Sequence, residues 1–80
     1  MRYVVVLDTD EGTTDYKVFA AEQDARKRFE DGRWVVLADR EIKGLKILRA
    51  RLFLTKTDDA REAKALVLSE RAELLEDTKP

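Results

Sequence analysis

The chain has no cysteine, no histidine and no asparagine, and serine and glutamine occur once each, as Ser69 and Gln23. Each absence closes off some chemistry. Without cysteine there is no disulfide framework, so stability has to come from a core or from association. Without histidine or cysteine, Ser–His and Cys–His nucleophilic catalysis cannot be assembled, and zinc and copper lose their preferred ligands. Without asparagine there is no N-glycosylation acceptor. Glycine stands only at 12, 32 and 44, too widely spaced for a phosphate-cradling loop or a dinucleotide fingerprint. Long apolar runs are missing as well. Val4-Val5-Val6-Leu7 is too short for a signal-peptide core and ends at Asp8, and nothing approaches transmembrane length, so a cytoplasmic location without membrane contact is expected. No cofactor is expected.

What is present is a small, heavily charged chain. Eighty residues with 44% hydrophobic and 41% charged side chains suit one domain with a charged surface, expected over residues 1–76 with 77–80 fraying. Sixteen basic residues against seventeen acidic ones leave a net charge of −1, so global charge recruits neither nucleic acid nor an anionic membrane. Asp8, Asp10, Glu11 and Asp15 gather around the first turn. They miss the calcium-loop pattern, because Gly12 falls one place early and the twelfth position counted from Asp8 is Phe19. A solvated acidic hairpin is the better reading, and no metal site is expected. A glycosidase-type carboxylate pair needs a cleft between its acids, which a small sheet with two helices does not offer. The chain is therefore not expected to be an enzyme.

The glycines mark expected turns, and the segments between them, 2–8, 15–19, 33–42 and 45–55, have the β-branched, aromatic and leucine content of strands. Ala21, Ala25 and Phe29 recur at helical spacing, with Gly32 as the expected stop. A second helix is expected over 58–76, capped by Thr57 or Asp58. Residues 2–8 echo 33–39, and Val18-Phe19 with Asp24-Ala25-Arg26 echo Phe53-Leu54 with Asp59-Ala60-Arg61, which suggests an internal ββα duplication. The expected class is α+β: ββαββα, a four-stranded antiparallel sheet with both helices on one face, ferredoxin-like or a circular permutation of it. Strand order 1-2-4-3 would leave the valine-rich strands at the edges, and order 2-1-3-4 would bury them.

Strand alternation assigns Leu48, Ala50, Leu52 and Leu54 to the helices and leaves Ile47, Arg49, Arg51 and Phe53 on an open face with Tyr3, Tyr16, Val18, Trp34 and Val36. In the second helix, Ala63, Leu66, Val67 and Leu74 form one stripe, and Ala65, Leu68, Ala72 and Leu75 form a second at the spacing of a short a/d seam. These surfaces predict a small non-enzymatic protein–protein interaction module of the regulator, adaptor or inhibitor type, with a protein partner or a second copy as a homodimer. Its expected interface residues are Tyr3, Trp34, Arg49, Arg51, Phe53, Leu68 and Leu75. The alternative is a single-stranded nucleic-acid platform on the same face. Residues 26–56 hold ten basic and four acidic residues, and Arg26, Lys27, Arg28, Arg33, Lys43, Lys46, Arg49 and Arg51 would contact phosphates. The protein-binding reading is preferred, because the aromatic pattern of RNA-recognition sheets is absent and the acidic flanks repel a phosphate backbone.

Overall fold

The structure, a computed structural model, describes residues 1–38, 41–42 and 44–79, the side chain of Ile42 excepted. Asp39 of the echo, Arg40 and Lys43 of the basic stretch, and Pro80 of the tail lie outside the described residues. Strand β1 (Arg2–Thr9) and strand β2 (Thr14–Phe19) form a hairpin, followed by helix α1 (Glu22–Leu37). A two-residue strand β3 (Glu41–Ile42) turns into the long strand β4 (Leu45–Thr55), and then come helix α2 (Ala60–Leu68) and strand β5 (Glu73–Asp77). The α+β class and the ββαββα order are as expected, in one open antiparallel sheet consistent with the ferredoxin-like type. Among the described residues no helix is long and apolar enough to cross a membrane.

The strand order is β2-β1-β4-β3, with β5 pairing the other half of β4, so neither expected order holds. The valine-rich β1 is central, and its neighbour is β4. The four-residue apolar run explains this, since a strand buried on both faces needs apolar side chains at every position. Val4, Val5 and Val6 are wholly buried and Leu7 nearly so.

The two faces of that strand separate the helices. Val5 and Leu7 join Ala25, Phe29, Val35, Ile47, Ala50 and Leu52 beneath α1. Val4 and Val6 join Ala63 and Val67 beneath α2. The expectation that both helices share one face is therefore corrected: α1 lies on one side of the sheet and α2 on the other. Alternation along a strand with no polar interruption requires apolar cover on both sides.

Segment 33–37, expected as a strand, is the second half of α1. The helical stripe of Ala25 and Phe29 continues through Gly32 and Val35, all buried, and burial of that stripe outweighs the β preference of a Trp-Val-Val run. Gly32 does not stop the helix. A Cβ there would stand 2.7 Å from Leu7 Cδ2 and 3.3 Å from the Ala50 Cβ, so this glycine lets the helix approach the sheet. Gly12 and Gly44, with φ of 79° and 81°, are the turn glycines expected. The 2–8 and 33–39 echo thus pairs a strand with a helix, whereas the echo of 18–26 in 53–61 falls on a strand end and a helix start in both halves.

Helix α2 ends at Leu68, and Glu70 then takes a left-handed φ of 61° that reverses the chain. The expected helix over 58–76 is corrected accordingly, and 73–77 form β5. Asp59, not Thr57 or Asp58, caps α2, accepting from the backbone N–H groups of Arg61 (2.8 Å) and Glu62 (3.2 Å). The expected fraying from residue 77 is also corrected. Asp77 closes β5, and the backbone N–H of Thr78 donates to the Ala50 carbonyl at 3.0 Å.

Candidate interaction surface

Helix α1 presents one stripe to the sheet and the other to solvent. Trp34 stands nine residues after buried Ala25, which at about 100° per residue is the opposite side of the helix. It is 58% exposed, and Leu37, one turn further along, is 70% exposed. The sequence expectation placed Trp34 on a sheet face; it sits on a helix surface, because 33–37 is helical. Leu37 was not foreseen, although the i, i+3 spacing that brings it beside Trp34 is legible once the helix is extended.

The sheet surface expected to be open is half covered. Val18 and Phe53 are half-buried under α2, and Tyr16 lies there with the Lys64 ammonium 5.4 Å from its ring centroid. Helix α2 has nine residues, and beyond its end the same face carries charge. Arg49 donates from Nε and Nη2 to Asp77 at 3.0 and 2.6 Å, and Arg51 Nη2 donates to Asp8 at 3.2 Å. The pairing is diagonal, since Asp8 lies directly opposite Arg49, and Asp77 opposite Arg51, in the strand register. Thr14 adds a hydrogen bond to Asp8 at 3.1 Å, so the network crosses β2, β1, β4 and β5. Arg51 also lies over Phe53, 5.7 Å from the ring centroid, and its buried Nε has no acceptor among the described residues. The bond from Arg49 holds the Asp77 carboxyl below its ordinary pKa, and the same bond raises that of Arg49. Both arginines are thus committed to carboxylates that no sequence signal paired with them.

The remaining expected interface residues are dispersed. Tyr3 is on the α1 side, where its hydroxyl donates to Glu22 at 3.2 Å; partial burial, then that bond, raises its pKa. Leu68 is 58% exposed at the end of α2. Leu75, on β5, packs against the α1-side core, so the helical seam of Ala65, Leu68, Ala72 and Leu75 does not exist. Ile47 and Leu48 exchange their expected sides. A register shift between Asp8 and Thr9 skips Leu48, which is 60% exposed, and turns Ile47 into the α1-side core. Val36, expected on the open face, packs on the same core.

The basic residues of the nucleic-acid reading do not converge. Arg26, Arg28 and Arg33 belong to α1, whereas Arg49 and Arg51 lie on the opposite side of the sheet. Each has a carboxylate partner: Glu22 at 2.6 Å, Asp15 at 3.0 Å, Glu30 at 3.3 Å, Asp77 at 2.6 Å and Asp8 at 3.2 Å, in that order. Lys27 and Lys46 are exposed on α1 and β4, and Lys43 lies outside the described residues. The acids of the first hairpin divide too, Asp8 turning to Arg51 on one face and Asp15 to Arg28 on the other.

A cleft of about 370 Å³ opens between that hairpin and α1, lined by Leu7, Ile47, Thr9, Thr13, Asp15 and Arg28 among others. Its polar groups bond to one another, Thr9 Oγ1 to Thr13 Oγ1 at 2.6 Å and Arg28 to Asp15. No protein-family model, curated protein or solved structure matches this chain.

Proposed function

We propose that this chain is a non-enzymatic protein-binding module that engages its partner through the outer surface of α1. The observation that carries this reading is the exposure of Trp34 and Leu37 together on the side of α1 turned away from the sheet. Trp34 is 58% exposed, and tryptophan is among the residue types that dominate binding energy. The rim is polar and mixed in sign, with Lys27, Glu30 and Arg33 on neighbouring turns, which suits a protein surface better than a phosphate backbone. The ion pairing of five arginines weighs the same way, since a nucleic acid would have to displace their carboxylates.

Photo-crosslinkers placed at 34, at 37 and, as a control, at exposed 56 just past β4 test the reading in the cells that naturally express the protein. A discrete adduct from 34 and 37, absent from 56, with the adduct from 34 lost in Leu37→Glu, is the expected result. Equal yields from all three positions would sink the assignment to α1.

A further inference from the structure

We infer that two copies of this chain pair through β2, antiparallel and about a twofold axis at Tyr16, to make one continuous sheet. Among the described residues no strand covers the outer edge of β2, and an uncovered edge offers a row of backbone donors and acceptors to another strand. The sequence of that edge is Thr14-Asp15-Tyr16-Lys17-Val18, with opposite charges placed symmetrically about the tyrosine. Asp15 lies opposite Leu7 and Lys17 opposite Val5, so both point to the α1 side of the sheet.

A twofold axis perpendicular to the sheet keeps that side in common between the copies. With the axis at Tyr16, Asp15 of each copy faces Lys17 of the other, giving two cross-strand ion pairs. Sliding the register by two residues one way sets Asp15 against Asp15; sliding it the other way sets Lys17 against Lys17. Opposite charges directly across a strand pair stabilise it and like charges destabilise it, so the charges favour the Tyr16 register over its two neighbours.

The groups needed are accessible. Asp15 and Lys17 are exposed. Arg28 engages only Oδ2 of Asp15, at 3.0 Å, leaving Oδ1 to take a lysine. Among the described residues Lys17 makes no ion pair. On the other side of the sheet the two Tyr16 rings meet at the axis, each held by its own Lys64. The twofold puts both α1 helices on one side of the joined sheet, and the β2 edge does not involve the outer surface of α1. The inference therefore stands or falls separately from the reading of Trp34.

The test is solution mass by light scattering and sedimentation over a range of concentrations, with far-UV circular dichroism to verify folding. The wild-type chain is expected at twice 9.3 kDa. Lys17→Asp and Asp15→Lys are each expected to weaken the dimer about tenfold or more, because each sets like charges across the axis. An equimolar mixture of the two variants is expected to recover the dimer, since every pair across the axis is again of opposite sign. A wild-type chain that stays at 9.3 kDa throughout, a dimer indifferent to charge reversal, or folded variants that fail to rescue each other would overturn the proposal. Crosslinking from 34 and 37 is unaffected by any of these outcomes.

Discussion

Gly32 shows how a single residue can carry opposite meanings in sequence and structure. In the sequence it reads as a helix stop, and in the molecule it is a point where α1 packs tightly against Leu7 and Ala50 of the sheet. Replacing it with alanine would raise helix propensity by about 1 kcal/mol, but the added methyl would press on buried Leu7 and on the Ala50 Cβ. Overpacking of this kind costs roughly 1–3 kcal/mol, so Gly32→Ala is expected to lower stability by about 1 kcal/mol in urea unfolding; a gain would show that Leu7 can move aside. Asp77 supplies a second expectation at this scale. Its pKa is lowered in the folded chain, chiefly by the Arg49 bond, so its contribution is present above the ordinary aspartate value and is lost as the pH falls through the folded one. Asp77→Asn should therefore be less stable than wild type at neutral pH, and the gap should close below the ordinary value of 3.8. The difference between the two chains cancels the other acids. A gap independent of pH would mean that the ion pair contributes nothing.

At the scale of elements, what could be read and what could not follow from where each segment gets its stability. Strands β1, β2 and β4 and the starts of both helices were legible, because their apolar period and turn residues agree with their final state. The second half of α1 was not, because Trp34-Val35-Val36-Leu37 has strand propensity and its helical state comes from docking Val35 and Val36 onto β4. Strand β5 was hidden for the converse reason. Glu73-Leu74-Leu75-Glu76 favours a helix locally, and what makes it a strand is pairing with β4 and the bond from Arg49 to Asp77. Of the surface, Trp34, Arg49, Arg51 and Phe53 were singled out by residue type, but their grouping depended on helix and strand limits that tertiary contacts set. The cap of α2 leads to another prediction. Asp59 satisfies two backbone donors of a nine-residue helix, so Asp59→Ala is expected to cost about 1 kcal/mol. Loss of the amide protection of Arg61 and Glu62 in hydrogen exchange would accompany it, and unchanged protection would remove the cap from the account of α2.

For the molecule as a whole, the decisive feature is that eighty residues are spread over both faces of one sheet. Among the described residues, eight buried ones lie on the α1 side and four on the α2 side, so the two halves of the core differ in strength. A domain of this size has roughly 4–12 kcal/mol of stability to lose. Removing Phe29, the largest wholly enclosed side chain, by Phe29→Ala should cost about 3–5 kcal/mol and bring the whole chain close to unfolding. Val67→Ala deletes two methyl groups from the thinner side, about 1.5–2 kcal/mol of burial, and should release α2 while β1, β4 and α1 stay in place. Amide exchange in the wild-type chain should anticipate this order, with α2 opening at lower free energy than the central strands. Protection of α2 equal to that of β4, or global unfolding in Val67→Ala, would mean that the sheet transmits stability across its thickness and that the two sides form one cooperative unit.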